Sequence, residues 1–224
     1  MTVTAFPQAV LFDHDGTLVD TEPLWEMGKQ RLTAEHGGTW TEQDTDDTLG
    51  KPLAKTVERL GERGVPGSPE QVYEQFYAVL EWVLRENPPT FIPGVEPLLQ
   101  DLAEAGITAA IVTNATSEVA RYTASLAPGD LFRVIIGDEE VARGVKPKPD
   151  PDAYLQAARQ LGVAPEGCVV IEDSPAGAES GVAAGITTVV VPGVQPVPEQ
   201  PGVVHVADHR AVTLDFLRSL SDGQ

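Results

Sequence analysis

The chain has 224 residues, and its 15 Lys and Arg residues stand against 34 Asp and Glu residues, which gives a formal net charge of −19. This acidic balance makes nucleic acid and anionic membranes poor partners, because no stripe of basic side chains is present to displace counterions from phosphates. With 42% hydrophobic residues and a length that suits one domain, or a core domain with a small insertion, the chain can bury a sizeable core without disulfides.

The first predicted element is a short apolar strand at residues 9–12. About a hundred residues separate it from the next strand-like run, far more than a crossover connection needs. Helical patterns at residues 23–36, 53–63 and 69–85 fill that gap. The sequence therefore predicts a small helical domain at residues 20–89, inserted into a core of residues 1–19 and 90–224.

After the insertion, β-branched runs alternate with helical patterns, which is typical of βαβ units. The runs are almost wholly apolar, as expected of strands that helices cover on both faces. Further strands are predicted at residues 109–112, 134–136, 169–171, 188–191 and 203–206, and helices at 95–104, 117–125, 151–161, 176–184 and 212–220. The predicted fold class is α/β, a doubly wound parallel sheet with an inserted all-helical domain.

Polar residues follow three of the predicted strands at their carboxyl ends, where open parallel sheets bind ligands. They are Asp13 and Asp15 after the first strand, Thr113 and Asn114 after the second, and Glu172 and Asp173 after the fourth. Four carboxylates at one edge would repel one another unless a divalent cation neutralised them. Because an all-oxygen ligand set suits Mg²⁺, the sequence predicts a magnesium site.

The same edge has the residue types that hold a phosphate group. A cation, a lysine such as Lys146, a hydroxyl group and the backbone N–H groups of residues 13–16 could share its oxygens. One aspartate could attack phosphorus and form an aspartyl-phosphate. The other, two residues away, could protonate the leaving alcohol and then deprotonate a water molecule. We therefore expect a small-molecule phosphate ester as substrate.

Four motifs resemble those of the haloacid dehalogenase superfamily, and the chain resembles its β-phosphoglucomutase-like phosphatases. The motifs are FDHDGTL at residues 12–18, Thr113-Asn114, KPKPDP at residues 146–151, and IEDSP at residues 171–175. The resemblance covers residues 8–192, and it is specific because all four motifs occur in order at fitting spacings. It implies a Rossmann-like core with a helical cap.

The resemblance also implies roles for individual residues. Asp13 would be the nucleophile, and Asp15 the general acid and base. The implied Mg²⁺ ligands are Asp13, Asp15 through its backbone carbonyl, Asp173 and Glu172. The implied phosphate-binding residues are Thr113, Asn114 and Lys146.

Two positions leave alternatives open. Lys148 lies two residues after Lys146, and either lysine could reach the phosphate; the pattern Lys-Pro-x-Pro favours Lys146 and leaves Lys148 as a solvated charge. His14 stands where the family usually carries an apolar residue. We expect its side chain to pack away from the site, and the alternative is a histidine that titrates beside the carboxylates.

The helical cap decides between a phosphatase and a phosphomutase. Where β-phosphoglucomutases carry a histidine, this chain has Trp25, and Leu53 stands where they carry an arginine. Lys51 could supply a charge by another route. These differences favour hydrolysis of a sugar or polyol phosphate, with Trp25 and Lys51 as candidate substrate contacts. The alternatives are a phosphomutase and, more remotely, a non-catalytic phosphometabolite-binding protein.

The single cysteine, Cys168, lies in an apolar run, which predicts a buried thiol in a reducing compartment. No stretch approaches the roughly 18 apolar residues of a membrane span, and residues 1–10 do not resemble a signal peptide. We therefore expect a cytoplasmic protein without a membrane partner, present as a monomer or weak dimer.

Overall fold

The computed structural model of the protein describes residues 6–49, 51 and 53–223. The chain divides into two units: one ends at Asp20 and resumes at Thr90, and the other is Thr21–Pro89. The boundaries predicted from the sequence, 19/20 and 89/90, differ from this division by one residue at the first junction.

The first unit contains a single parallel sheet. Within the described residues its strands are β1 (Ala9–Phe12), β2 (Thr108–Val112), β3 (Phe132–Ile136), β4 (Cys168–Glu172), β5 (Thr187–Val190) and β6 (Val203–His205). Their order across the sheet is β3-β2-β1-β4-β5-β6, and every neighbouring pair is parallel. The predicted doubly wound α/β fold is confirmed, and the order in which strands are added reverses between β1 and β4, which is where such sheets bind ligands.

The helical unit Thr21–Pro89 is built from helices that pack through small and apolar residues. Its described helices are α1 (Glu22–Glu35), α2 (Glu42–Thr48), α3 (Leu53–Glu62) and α4 (Pro69–Glu86). Gly28 of α1 lies against Phe76 and Leu80 of α4, where the missing side chain lets the two helices approach closely. Leu32 and Val72 are buried in the same core.

Helix α2 was not predicted, because the segment EQDTDDT contains no apolar residue and so has no hydrophobic periodicity. A capping box starts it: the Thr41 hydroxyl accepts from the backbone of Asp44, and the Asp44 carboxylate accepts from the backbone N–H of Thr41. Asp44 is buried, and its Oδ1 lies 3.2 Å from Arg59 and 2.7 Å from Arg63. Ion pairing therefore holds α2 in place.

Helices cover both faces of the sheet. In the core unit they are α5 (Val95–Glu104), α6 (Ser117–Leu126), α7 (Asp138–Ala142), α8 (Asp152–Leu161), α9 (Pro175–Ala183) and α10 (Leu214–Ser219). Val10 and Phe12 of β1 belong to an apolar cluster with residues of α5, α6 and α10, whereas Ala9 and Leu11 belong to a cluster with Tyr154 and other residues of α8. Because alternate residues of a buried strand face opposite sides, β1 serves both clusters.

Candidate active site

The central strands bring the predicted acidic residues together. Phe12 at the end of β1 is in register with Ile171 of β4, and the Asp13 N–H donates to the Ile171 carbonyl at 3.0 Å. Carboxylate oxygens of Asp13, Glu172 and Asp173 lie within 4.8 Å of one another. The strand pattern predicts these residues at one edge of the sheet, and the structure brings them into one cluster.

Lys148, and not Lys146, is the lysine of this cluster. The Lys148 Nζ lies 2.6 Å from Asp13 Oδ1 and 2.6 Å from Glu172 Oε1, and the side chain is only 4% exposed. The Lys146 side chain is 70% exposed and pairs with Asp150 at 3.2 Å. The expectations that Lys146 reaches the site and that Lys148 is a solvated charge were therefore wrong.

The sequence leaves the choice between the two lysines open. The pattern Lys-Pro-x-Pro occurs in two overlapping frames, at residues 146–149 and 148–151, and the second frame starts at Lys148. The loop is held in that frame by Asn114, whose Oδ1 accepts from the Lys148 N–H and whose Nδ2 donates to the Lys148 carbonyl, both at 3.2 Å. The Asn114 carboxamide thus positions the lysine loop through both of its polar ends.

The Glu172 carboxylate is fully buried, and both of its oxygens accept hydrogen bonds. Its Oε1 accepts from Lys148 at 2.6 Å and from the Tyr154 hydroxyl at 2.8 Å. Its Oε2 accepts from the Ser174 hydroxyl at 2.9 Å and from the backbone N–H groups of Asp173 and Ser174. Both oxygens are therefore occupied by donors from the chain itself, which suits a residue that orients Lys148.

Burial and mutual repulsion shape the electrostatics of the cluster. Burial, followed by the charge of Glu172, raises the pKa of Asp13 to about 7, although Lys148 opposes the shift. Burial and the charge of Asp13 raise the pKa of Asp173 to about 8. The raised pKa values show that one lysine does not neutralise the cluster, so a divalent cation bound to these oxygens would remove an electrostatic cost.

The loop after Asp13 is held in a conformation that requires glycine. Gly16 has a φ of 82°, and a Cβ atom at this position would collide with the Asp173 carboxylate. The Gly16 carbonyl accepts a hydrogen bond from His209 Nε2 at 3.0 Å, and burial lowers the pKa of His209. No motif in the sequence links His209 to this loop, because the two residues lie 193 positions apart.

The other predicted residues of the core lie at strand ends, as expected. Thr113 follows β2 and is buried, and its hydroxyl accepts from the Ala115 N–H at 2.9 Å. Asp15 is 30% exposed, and its Oδ2 lies 3.2 Å from His14 Nδ1. His14 is buried and also contacts Thr123, so its ring packs against α6 while still touching Asp15.

The two predicted cap contacts belong to the helical unit. Trp25 lies in the first turn of α1, and its ring centroid is 5.6 Å from that of Phe76 and 6.0 Å from that of Tyr77. Lys51 is exposed in the loop between α2 and α3. The structure thus places Trp25 in an aromatic cluster, and the contact of either residue with a substrate stays a prediction.

Two further features of the described residues bear on the sequence analysis. Cys168 is a free, buried cysteine, and burial raises the pKa of its thiol to about 12, so the predicted buried thiol is confirmed. Among residues 6–49, 51 and 53–223, no helix combines the length and apolarity needed to cross a bilayer.

The chain is similar to known proteins in sequence and in fold. A model of the haloacid dehalogenase-like hydrolases matches residues 10–191, and the chain belongs to this family. It is 37% identical over 183 residues to hexitol phosphatase A of Escherichia coli, which covers 81% of each chain. It is 32% identical over 185 residues to the phosphorylated carbohydrates phosphatase of Thermotoga maritima, which covers 80% of this chain and 82% of that protein.

A solved structure extends the similarity to the whole fold. The crystal structure of CbbY from Rhodobacter sphaeroides in complex with phosphate matches with a TM-score of 0.76 and 25% identity, over 94% of this chain and 98% of that one. The predicted family is confirmed, and the predicted enzyme class, a phosphoric monoester hydrolase, is supported by the phosphatases among these relatives.

Proposed function

We propose that the protein is a Mg²⁺-dependent phosphatase that hydrolyses a sugar or polyol phosphate through an aspartyl-phosphate on Asp13. The observation that carries the proposal is the buried contact of Lys148 with Asp13 and Glu172, with Asp15 two residues beyond the nucleophile. The similarity to hexitol phosphatase A and to a phosphorylated carbohydrates phosphatase supports the substrate class.

The acidic cluster fits a divalent cation. Burial and the charges of neighbouring carboxylates raise the pKa values of Asp13 and Asp173, and carboxylate oxygens are the ligands that Mg²⁺ prefers. In the proposed site Asp13, Asp173 and the Asp15 carbonyl would bind the ion directly. Glu172, which the resemblance implied as a further ligand, would instead support the site by holding Lys148 and the Asp173 backbone, because donors of the chain occupy both of its oxygens. When bound, Mg²⁺ supplies positive charge for the phosphate oxygens.

In the first proposed step, an Asp13 carboxylate oxygen attacks phosphorus and forms a new P–O bond. The bond from phosphorus to the substrate oxygen breaks, and the Asp15 carboxyl gives its proton to that oxygen, so a neutral alcohol leaves. Lys148 and the Thr113 hydroxyl hold the phosphoryl oxygens, because the Lys148 Nζ lies 2.6 Å from Asp13 Oδ1 and Thr113 follows β2, the neighbour of β1.

In the second proposed step, Asp15 is a carboxylate and takes a proton from a water molecule. The water oxygen attacks phosphorus, the bond between phosphorus and Asp13 breaks, and inorganic phosphate leaves. Asp13 is again a carboxylate and Asp15 again carries a proton, so the cycle is complete. The net reaction is ester plus water to alcohol plus phosphate.

A phosphomutase is the competing proposal on the same site. The presence of Trp25, where β-phosphoglucomutases have a histidine, favours hydrolysis, and so do the phosphatase relatives. The cytoplasmic location and the monomeric or weakly dimeric state stay predictions.

The test is to incubate the protein and Mg²⁺ with hexitol, pentitol and hexose phosphates, and to measure free phosphate. Glucose 1-phosphate with a sugar bisphosphate primer is assayed in parallel for isomer formation. We expect phosphate release from a sugar or polyol phosphate, and its loss in Asp13→Asn. Isomer without phosphate would establish the mutase instead, and an active Asp13→Asn variant would refute the nucleophile.

A further inference from the structure

His14 lies between the two aspartates of the proposed mechanism and contacts the second. The His14 side chain is 1% exposed, and both ring nitrogens have partners: Nδ1 is 3.2 Å from Asp15 Oδ2, and Nε2 is 2.8 Å from Thr123 Oγ1. Thr123 is itself completely buried in α6. A buried ring bonded at both ends has one orientation, since rotating it would leave polar atoms unpaired.

The position of His14 follows from the strand that precedes it. Val10 and Phe12 of β1 face the apolar cluster that includes Ala120 of α6. His14 is two residues beyond Phe12, so its side chain points to the same face as those of Val10 and Phe12. It contacts Thr123, which lies one turn along α6 from Ala120. A rigid helix therefore anchors the ring at its far end, 109 residues away in sequence.

The hydrogen-bond chemistry assigns a direction to this chain of contacts. Asp15 Oδ2 accepts a hydrogen bond when the group is ionised and also when its proton is on Oδ1, so His14 donates to it from Nδ1 in both states. In a neutral imidazole Nε2 then accepts, and the Thr123 hydroxyl donates to it. The Thr123 hydroxyl thus donates to His14 Nε2, and His14 Nδ1 donates to Asp15 Oδ2.

We propose that His14, anchored by Thr123, is a positioning residue that sets the orientation of the Asp15 carboxyl group for proton transfer to the leaving alcohol. The inference rests on the proposed function, because it assigns His14 a purpose only if Asp15 is the general acid. Asp15 is 30% exposed and lies in a loop, so packing alone constrains it less than the buried Asp13. The bond to Oδ2 restricts rotation of the carboxyl group, and small displacements of a reacting group are costly.

The inference predicts a dependence on the leaving group. An alkyl alcohol needs a proton as it leaves, whereas 4-nitrophenolate leaves as a stable anion and gains little from a general acid. A badly oriented Asp15 therefore slows transfer from a hexitol phosphate far more than from 4-nitrophenyl phosphate. A change that only destabilises the fold would slow both esters equally.

The experiment compares kcat/KM for these two esters, since kcat/KM reports the steps through phosphoryl transfer to Asp13. Two matched substitutions separate the ring nitrogens: the amide nitrogen of His14→Asn takes the place of Nδ1, and that of His14→Gln takes the place of Nε2. We expect His14→Gln to lower kcat/KM for the hexitol phosphate by about 10- to 100-fold, part of the 10²–10⁴ that a general acid contributes. His14→Asn keeps the donor to Asp15 but loses the Thr123 contact, so its loss on the hexitol phosphate should be smaller than that of His14→Gln and similar to that of Thr123→Val. The kcat/KM for 4-nitrophenyl phosphate should change by less than about threefold in both His14 variants.

Thr123 supplies a second test that leaves His14 in place. Thr123→Val removes the hydroxyl and keeps the shape, so it should lower kcat/KM for the hexitol phosphate selectively, whereas Thr123→Ser should not. Equal losses on both esters, or equal behaviour of His14→Asn and His14→Gln, would overturn the inference. A wild-type protein that hydrolyses no alkyl phosphate, or an active Asp13→Asn variant, would instead refute the proposed function.

Discussion

Replacing Lys148 by methionine should nearly abolish phosphatase activity, and the same change at Lys146 should not. The Lys148 Nζ makes two charge-assisted contacts of 2.6 Å, one with Asp13 and one with Glu172, on a side chain that is 4% exposed. Removing one preorganised donor from such a site costs about 10²–10³ in kcat, or about 3–4 kcal/mol of transition-state stabilisation. Methionine keeps the length and the apolar stem, so the loss reports the charge.

The pH profile of stability should change in the same variant. The Lys148 charge opposes the burial and the Glu172 charge that raise the pKa of Asp13 to about 7. Without that lysine the pKa of Asp13 rises further, so a smaller fraction of Asp13 is a carboxylate at neutral pH. Without Mg²⁺, the loss of stability with rising pH should therefore extend to higher pH in Lys148→Met than in the wild type, and Tm measured across pH checks this.

Lys146→Met is the matched control. The Lys146 side chain is 70% exposed and pairs only with Asp150 four residues on, within the contacts that the structure describes for it. Exposed pairs of this kind contribute about 0–1 kcal/mol, so we expect kcat within about twofold of the wild type. The reasoning fails if Lys146→Met loses more activity than Lys148→Met, or if Lys148→Met stays within about threefold of the wild type while Asp13→Asn is inactive.

Three more predictions concern the charges of the two units. In the folded, metal-free protein the pKa of Asp13 is raised from 3.8 to about 7 and that of Asp173 from 3.8 to about 8. The stability of this protein should therefore fall as pH rises from about 4 to 8. The rise in Tm on adding Mg²⁺ should be larger at pH 8.5 than at pH 5.5. An equal rise at both pH values would contradict those shifts. Tyr154→Phe removes the hydroxyl that donates to Glu172 at 2.8 Å and should lower the free energy of unfolding by about 1–3 kcal/mol in urea titrations. An unchanged free energy of unfolding would show that this hydrogen bond does not stabilise the fold. In the helical unit, the hydrogen bond from Arg63 is the main interaction that lowers the pKa of Asp44 to about 2. Asp44→Asn should therefore lower the free energy of unfolding by about 2 kcal/mol at pH 7. This difference between variant and wild type should vanish as pH falls from 4 toward 2.

The helical unit shows why hydrophobic periodicity finds some helices and misses others. Helices α1, α3 and α4 have apolar residues at helical spacing, and their predicted ranges lie close to the observed ones. Helix α2 is held by a capping box and by the ion pairs of Asp44 with Arg59 and Arg63. Partners that lie outside a helix cannot be recognised from its own pattern, so α2 became visible only in the folded unit.

The lysine motif shows a similar limit inside the active site. Two overlapping frames of Lys-Pro-x-Pro satisfy the same pattern, and local sequence does not distinguish them. The choice depends on where the loop passes the end of β2, because Asn114 binds the backbone of Lys148 from there. A contact between residues 34 positions apart decides which lysine is buried between the carboxylates.

The sequence by itself determined the sheet, the insertion and the positions of Asp13, Asp15, Glu172 and Asp173, because apolar runs mark buried strands and parallel strands present their ends at one edge. The tertiary structure decided which side chains meet beyond those ends. It placed Lys148 between two carboxylates, and His14 between Asp15 and a threonine of a distant helix. Such contacts depend on loop paths and helix packing, and these are set by the whole core and not by the spacing of residues along the chain.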